Sequence, residues 1–232
     1  MRINDLHRRL LADVVAIGSP YPLVLTGGYA VQAHGLVERL SDDLDLATEA
    51  QVPMAEIAAA LRRGLIERGW RVSALETEPI SARMVVSNPE TGEECEVDVL
   101  KETMARPPLQ TAYGPVLALD DVVGTKVRAL AARGYPRDLV DVHAASATGR
   151  WSRIELEELG RSRAWDDFDL TDLRARLETV ELLDDRLFAA YGLDQEAIAE
   201  LRRWAQEWSD DIGERLMEEA PYEEPPEEPS ED

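Results

Sequence analysis

The chain has only one cysteine among its 232 residues, Cys95, so no internal disulfide can form and stability must come from packing, as suits a reducing compartment. Cys95 has no partner histidine motif and reads as a packed thiol. His34 and His143 are isolated, without metal-ligand spacing, and take structural roles. No apolar run approaches the roughly 18 residues needed to cross a bilayer. The opening segment "MRINDLHRRLLADVVAIGS" is amphipathic rather than a signal peptide, so the expectation is a cytoplasmic protein with no membrane partner. Basic residues are scarce, 25 Lys and Arg against 47 Asp and Glu, for a net charge of −22. Broad nonspecific binding to nucleic acid, which depends on neutralising phosphates, is thereby excluded. A localised basic face is not, because arginines gather between residues 126 and 163. Two phosphate-binding signatures are also missing: no GxGxxG occurs, and no Gly-Lys-Thr follows the double glycine at Gly27 and Gly28.

What is present divides along the chain. Hydrophobic residues make up 44 %, enough to bury a real core. Residues 3–17 carry Leu6, Leu10, Leu11, Val14 and Val15 at helical spacing. Gly18, Pro20 and Pro22 end that helix. "LVLTG" reads as a short buried strand, residues 29–34 as a short helix opened by the glycines, and "DLDLAT" as a second strand. A helix follows Pro53 and closes at Gly69. "WRVSALE", "ARMVVSN" and "CEVDVLK" read as strands, the last two forming a hairpin through "NPETGEE". After Pro107 and Pro108 the pattern becomes helical: residues 119–132, 136–147, a segment around 154–159, 173–190 and 195–217. Trp151, Trp165, Trp204 and Trp208 are expected in the helical core. Eight acidic and no basic residues lie beyond residue 217, in "EEAPYEEPPEEPSED", which is too polar and Pro-rich to pack. The expected organisation is an α/β sheet lobe over residues 1–110, a helical lobe over 111–217 and a disordered acidic tail over 218–232.

The chemistry concentrates in "LTGGYAVQAHGLVERLSDDLDLAT". On a strand, residues two apart share a face, so Asp43 and Asp45 project together while Leu44 faces away. Asp98 sits mid-strand in "EVDVL", where Asp is disfavoured. If the two strands are neighbours, three carboxylates converge, and like charges about 4 Å apart repel by roughly 4 kcal/mol at an effective dielectric near 20. A cation would offset that repulsion, and oxygen-only ligands suit Mg²⁺, which prefers one or two carboxylates plus substrate phosphates. Gly27 and Gly28 let backbone N–H groups approach a phosphate closely. The combination describes a nucleotide site in which metal bridges phosphates. The plainer alternatives are a solvated edge strand for Asp43 and Asp45, an ion pair between Asp98 and an arginine such as Arg83, and a wet helix face for Lys126 and Arg133.

These residues resemble the nucleotidyltransferase superfamily of DNA polymerase β-like fold, whose hallmark is a Gly-Gly or Gly-Ser helix, a strand bearing Asp-x-Asp, and a third Asp on a later strand. More narrowly, Arg39, Ser41, Asp43, Leu44 and Asp45 resemble the Arg-x-Ser-x-Asp-Leu-Asp form of AbiEii-type toxins of type IV toxin–antitoxin systems. The downstream "KVRALAARGYPRDLVDV" is similar to that family at Lys126, Ala129, Leu130, Arg133, Arg137, Asp138, Leu139 and Asp141. Together the motifs span residues 25–142; the helical region past Arg150 carries no match.

The resemblance implies a nucleotidyltransferase-type mixed sheet with a C-terminal helical lobe. It also implies transfer of a nucleoside monophosphate from a nucleoside triphosphate to an acceptor hydroxyl, at the tRNA 3′ end, by a toxin that needs an antitoxin partner. On that basis Asp43 and Asp45 bind Mg²⁺, and Asp98 is general base or third ligand. Gly27, Gly28, Ser41 and Arg39 approach phosphate, Lys126 contacts triphosphate oxygens and Arg137 joins the substrate side. Asp141 orients Lys126 or the acceptor hydroxyl. Tyr29 departs from the small residue or Ser/Thr of many relatives and would reshape the phosphate pocket. Asp42 is most simply explained by an ion pair with Arg39. Two alternatives share the fold: a nucleotidyltransferase acting on a cationic antibiotic of the aminoglycoside or lincosamide kind, and a non-catalytic binding module.

Overall fold

The computed structural model describes residues 2–39, 41–161 and 168–219. Most of the acidic tail and Trp165 lie outside the described residues. Helix α1 (Asp5–Ile17) starts where the Asn4 side chain accepts the His7 backbone N–H at 2.7 Å, satisfying one of the unpaired donors of the first turn. It is followed by β1 (Val24–Leu25), α2 (Gly27–Ala33), β2 (Leu44–Thr48), α3 (Met54–Glu67), β3 (Arg71–Thr77), β4 (Ser81–Ser87) and β5 (Glu94–Lys101). Two short strands, β6 (Leu109–Thr111) and β7 (Gly114–Val116), precede the helices α4 (Leu119–Arg133), α5 (Pro136–Ala147), α6 (Arg153–Arg161), α7 (Leu170–Glu178), α8 (Asp185–Ala189) and α9 (Gln195–Glu219).

The seven strands form one mixed sheet in the order β3-β4-β5-β2-β1-β7-β6. β4 and β5 pair as the antiparallel hairpin that the turn chemistry predicts, and β2 runs parallel to β5. Alternation sorts the two faces of the sheet. Leu44, Leu46, Val97, Val99, Met84 and Val86 are buried in one core with Leu10, Leu11 and Val14 of α1 and Ile57, Leu61 and Leu65 of α3. The opposite face carries Asp45, Asp98 and Arg83. A second core gathers Val127, Leu130, Leu139, Leu173, Phe188 and Trp208 from the later helices. The two cores meet on α4, where Val122 belongs to the first and Val123 to the second.

The helix expected over residues 173–190 is broken. α7 stops at Glu178, a 3-10 turn spans Thr179–Leu182, and Leu183 is extended. Asp184 then caps α8 by accepting the Arg186 N–H at 2.8 Å. Asp competes for backbone donors in just this way, which breaks a helix that apolar periodicity alone would continue. Trp204 and Trp208 pack in the helical core, and Trp208 donates to the buried Glu157 at 2.8 Å.

Candidate active site

The site grows from one register. β2 and β5 align Asp45 directly with Asp98, so both side chains leave the same face of neighbouring strands. Asp43 lies one residue before β2 and shares that face by the two-residue alternation. The turn from β1 into α2 closes over Asp45, with the Thr26 N–H donating to the Asp45 carbonyl at 2.9 Å. Gly27 is held at φ +60°, and a Cβ there would stand 1.8 Å from Asp45 Oδ2. Only glycine tolerates both the left-handed backbone and that approach. A Cβ on Gly28 would meet Ser41 Oγ at 2.5 Å, so the second glycine makes room for the hydroxyl.

The carboxylates are electrostatically uncomfortable. Burial pushes the Asp45 carboxyl above its ordinary range, and Asp98 pushes it further, while Lys126, Arg137 and Arg133 hold it down. Asp43 is likewise raised, by burial first and then by Asp45 and Glu96, against the pull of Arg137, whose Nη1 lies 3.8 Å from Asp43 Oδ2.

Beside them is a buried ion network. Lys126 on α4 reaches Asp141 Oδ2 at 2.8 Å and Asp138 Oδ1 at 3.5 Å, both acids on α5. Arg39 forks onto the two oxygens of Asp141 at 2.9 and 2.8 Å, and Arg133 binds Asp138 at 2.8 Å. Asp138 and Asp141 are buried, which is tolerable only because each carboxylate has two cations on it. Three cations against two acids leave a positive surplus facing Asp45, so the network supplies a fixed field as well as structure. Lys126 is itself buried, only 7 % exposed, rather than on a wet helix face.

The expected residues are distributed as follows. Asp43, Asp45, Gly27, Gly28 and Ser41 come together, and Asp141 lies within ion-pair distance of Lys126. Arg39 pairs with Asp141, not with Asp42: the bidentate partner is 102 residues away, and sequence proximity could not reveal it. Asp98 stands beside Asp45, but both its oxygens are taken by Arg83 from β4, at 2.8 and 2.7 Å. Residues Glu76, Arg83, Asp98 and Asp45 thus form one charged row across four adjacent strands. Among the described residues no three His, Cys, Asp or Glu side chains form a ready metal cage. Two raised carboxylates under a glycine turn nevertheless fit Mg²⁺, which takes its remaining ligands from phosphates and water. Tyr191, after α8, lays its ring 5.3 Å from the Arg39 guanidinium and brings the helical lobe to the site; nothing in the sequence pattern marks it.

A family model of the nucleotidyl transferase AbiEii toxin of type IV toxin–antitoxin systems matches residues 9–226. The chain belongs to the AbiEii family. It is therefore a nucleotidyltransferase of a toxin family, whose type IV systems include an antitoxin partner and whose chemistry uses a nucleotide substrate. No curated protein matches the sequence. The AbiEii fold is shared with JHP933 from Helicobacter pylori, at TM-score 0.54 and 16 % identity over 94 % of this chain and 97 % of that one. A second H. pylori structure matches at TM-score 0.54 and 15 % identity, over 92 % of this chain and 99 % of that one. The Mycobacterium tuberculosis nucleotidyltransferase toxin MenT4 is more distant, with TM-score 0.47 and 16 % identity over 89 % and 92 % of the two chains. No described helix is long and apolar enough to cross a membrane.

Proposed function

We propose that this AbiEii enzyme transfers a nucleoside monophosphate from a nucleoside triphosphate to the 3′ hydroxyl of tRNA in the cytoplasm, with Mg²⁺ held by Asp43 and Asp45. The observation that carries the reading is the alignment of Asp45 with Asp98 beneath Gly27, beside the positive network of Lys126, Arg39 and Arg133. Asp43 and Asp45 would hold Mg²⁺ there, and the ion would supply Lewis-acid stabilisation of the charge that develops on the triphosphate.

The remaining work falls to the chain. Gly27 and Gly28 let the backbone come close to the phosphates, and the Ser41 hydroxyl sits where Gly28 leaves space for it. The acceptor oxygen bonds to the α-phosphorus as the bond to pyrophosphate breaks, and the hydroxyl proton passes to Asp98. Arg83 must loosen its grip on one Asp98 oxygen for that transfer. Asp141 acts indirectly, by fixing Lys126 and Arg39, whose charges favour the triphosphate and the leaving pyrophosphate. Arg137, beside Asp43, lies on the substrate side. A cognate antitoxin protein neutralises the activity. The sheet lobe expected over residues 1–110 runs on through β7 to Val116 and holds Asp43, Asp45, Asp98 and Arg39, and the helical lobe that follows it supplies Lys126, Arg133 and Arg137.

Purified protein is incubated with each labelled nucleoside triphosphate, Mg²⁺ and total RNA; label at tRNA 3′ ends is expected, and label in no RNA rejects the acceptor. The charged row, in which Glu76, Asp98 and Asp45 outnumber Arg83, favours one competing acceptor, a cationic small molecule of the aminoglycoside kind. Label on such a compound, with resistance rather than growth arrest on expression, would select it.

A further inference from the structure

Arg39, Ser41 and Asp43 precede β2 on a strap, and part of what holds that strap lies outside the site. Two side chains of α2 grip its carbonyls. Gln32 Nε2 donates to the Arg39 carbonyl at 2.5 Å, and the Tyr29 hydroxyl donates to the Ser41 carbonyl at 3.2 Å. Tyr29 and Gln32 are three apart on α2, so they share a face and reach the carbonyls of Ser41 and Arg39 from the same side. Behind each grip stands a second bond from the other side. The Arg2 backbone N–H donates to Gln32 Oε1 at 2.5 Å, and His7 Nδ1 lies 2.6 Å from the Tyr29 hydroxyl.

Proton bookkeeping fixes the direction of the second chain. A carbonyl can only accept, so the single Tyr29 hydroxyl proton goes to Ser41. His7 must then donate from Nδ1–H to the Tyr29 oxygen. Burial of the imidazole pushes its pKa down and favours the neutral ring. Tyr29 is wholly buried and His7 is 4 % exposed, so water cannot replace either partner.

We propose that Arg2→Gln32→Arg39 and His7→Tyr29→Ser41 are parallel hydrogen-bond relays by which the segment opening the chain sets the position of the strap, making His7, Tyr29 and Gln32 positioning residues for nucleotidyl transfer. The inference rests on the metal and nucleotide assignment above. Arg39 is thereby presented to Asp141, the Ser41 hydroxyl to Gly28, and Asp43 to the cation, from the segment that precedes β2. Tyr29 is then no defect in a phosphate pocket: its ring is packed beneath the strap and its hydroxyl does the holding.

The test uses the full chain carrying Tyr29→Phe, Gln32→Met, His7→Ala or His7→Asn, the last retaining a donor where Nδ1–H lies. Three readouts are taken: steady-state kinetics against nucleoside triphosphate, Mn²⁺ binding followed by water-proton relaxation, and nitrogen-15 spectra of the His7 ring. The wild type is expected to show the Nδ1–H tautomer, and Tyr29→Phe to lose it. Because a misplacement of about 1 Å in a catalytic constellation can cost about a hundredfold, Tyr29→Phe and Gln32→Met are expected to lower kcat about tenfold or more. KM should stay within about twofold, and Mn²⁺ affinity should drop severalfold, as expected when a support behind a ligand is lost. His7→Asn should recover most of what His7→Ala loses. Unchanged kcat and Mn²⁺ affinity in both Tyr29→Phe and Gln32→Met, an Nε2–H tautomer, or no recovery by asparagine overturns the relays. If the wild type transfers no nucleotide, the functional reading fails on its own, and the Mn²⁺ and nitrogen-15 measurements still decide the relays.

Discussion

Replacing Asp45 by Asn should make the metal-free protein more stable while removing its activity. Asp45 and Asp98 are in register on strands roughly 4.8 Å apart. Two unscreened carboxylates about 5 Å apart repel by about 3 kcal/mol at an effective dielectric of ~20. Arg83 neutralises much of Asp98, and Lys126 attracts Asp45, which leaves a net strain of about 1–2 kcal/mol at Asp45 once its burial is included. Asn keeps the shape and removes the charge. Lys126 is not orphaned, because Asp141 and Asp138 still hold it. For a chain of this size the gain corresponds to a Tm about 2–8 °C higher. The pH dependence has a definite sign. Since the folded carboxyl titrates above its unfolded value, the folded state carries the strain at neutral pH and is relieved of it as pH falls through the folded pKa. The Tm advantage of Asp45→Asn should therefore be full near pH 7 and shrink to nothing toward the unfolded carboxylate value of about 4. Added Mg²⁺ with nucleotide should raise the Tm of the wild type only, and kcat should fall at least about a hundredfold. Differential scanning calorimetry from pH 7 to 4.5, with and without ligand, is the assay. An Asp45→Asn protein that melts below the wild type at pH 7 would mean that Asp45 is held by stabilising contacts, and the account of the site as a strained cation receptor would be wrong.

Gly27→Ala combines an unfavourable left-handed φ, worth about 1–2 kcal/mol, with a methyl driven into Asp45, so activity should fall as far as in Asp45→Asn, and near-normal kcat would refute the turn's role. Glu157→Ala strips a buried acid from the Trp208 N–H and the Arg215 guanidinium, costing about 3 kcal/mol and several degrees of Tm, while kcat measured on folded enzyme stays unchanged; a kcat loss without a Tm loss would contradict this. Cys95 is 3 % exposed and its thiol is pushed up to about 12 chiefly by burial. Iodoacetamide at pH 8 should label it quickly in guanidinium and barely at all in the native protein, which mass spectrometry reads directly.

Local pattern was enough for much of the molecule. The Pro136 start of α5, the Gly134 stop of α4 and the β4–β5 hairpin are written in short-range chemistry, and the Asp43–Asp45 pair is visible as two charges inside an apolar run. What short-range pattern cannot carry is who meets whom. The parallel pairing of β2 with β5 joins segments about fifty residues apart, and only that pairing sets Asp98 beside Asp45. Arg39 finds Asp141 across the whole sheet lobe, although Asp42, three residues on, is the nearer charge in sequence. Strands β6 and β7 escape notice for another reason: three residues each, rich in Gly, Pro and polar side chains, they take their extended form from the sheet edge they join rather than from their own propensity. The break between α7 and α8 was hidden by a continuous apolar stripe and decided by a single capping aspartate.

Because neighbouring residues of α4 are rooted in different cores, the helix fastens carboxylate-bearing sheet and cation-bearing helices into one mechanical part. An inhibitor cannot silence such an enzyme by prising its halves apart without unfolding it. An antitoxin that acts on this protein directly would have to cover the carboxylates or the cations in place rather than separate them, and the toxin it releases would be ready to work at once.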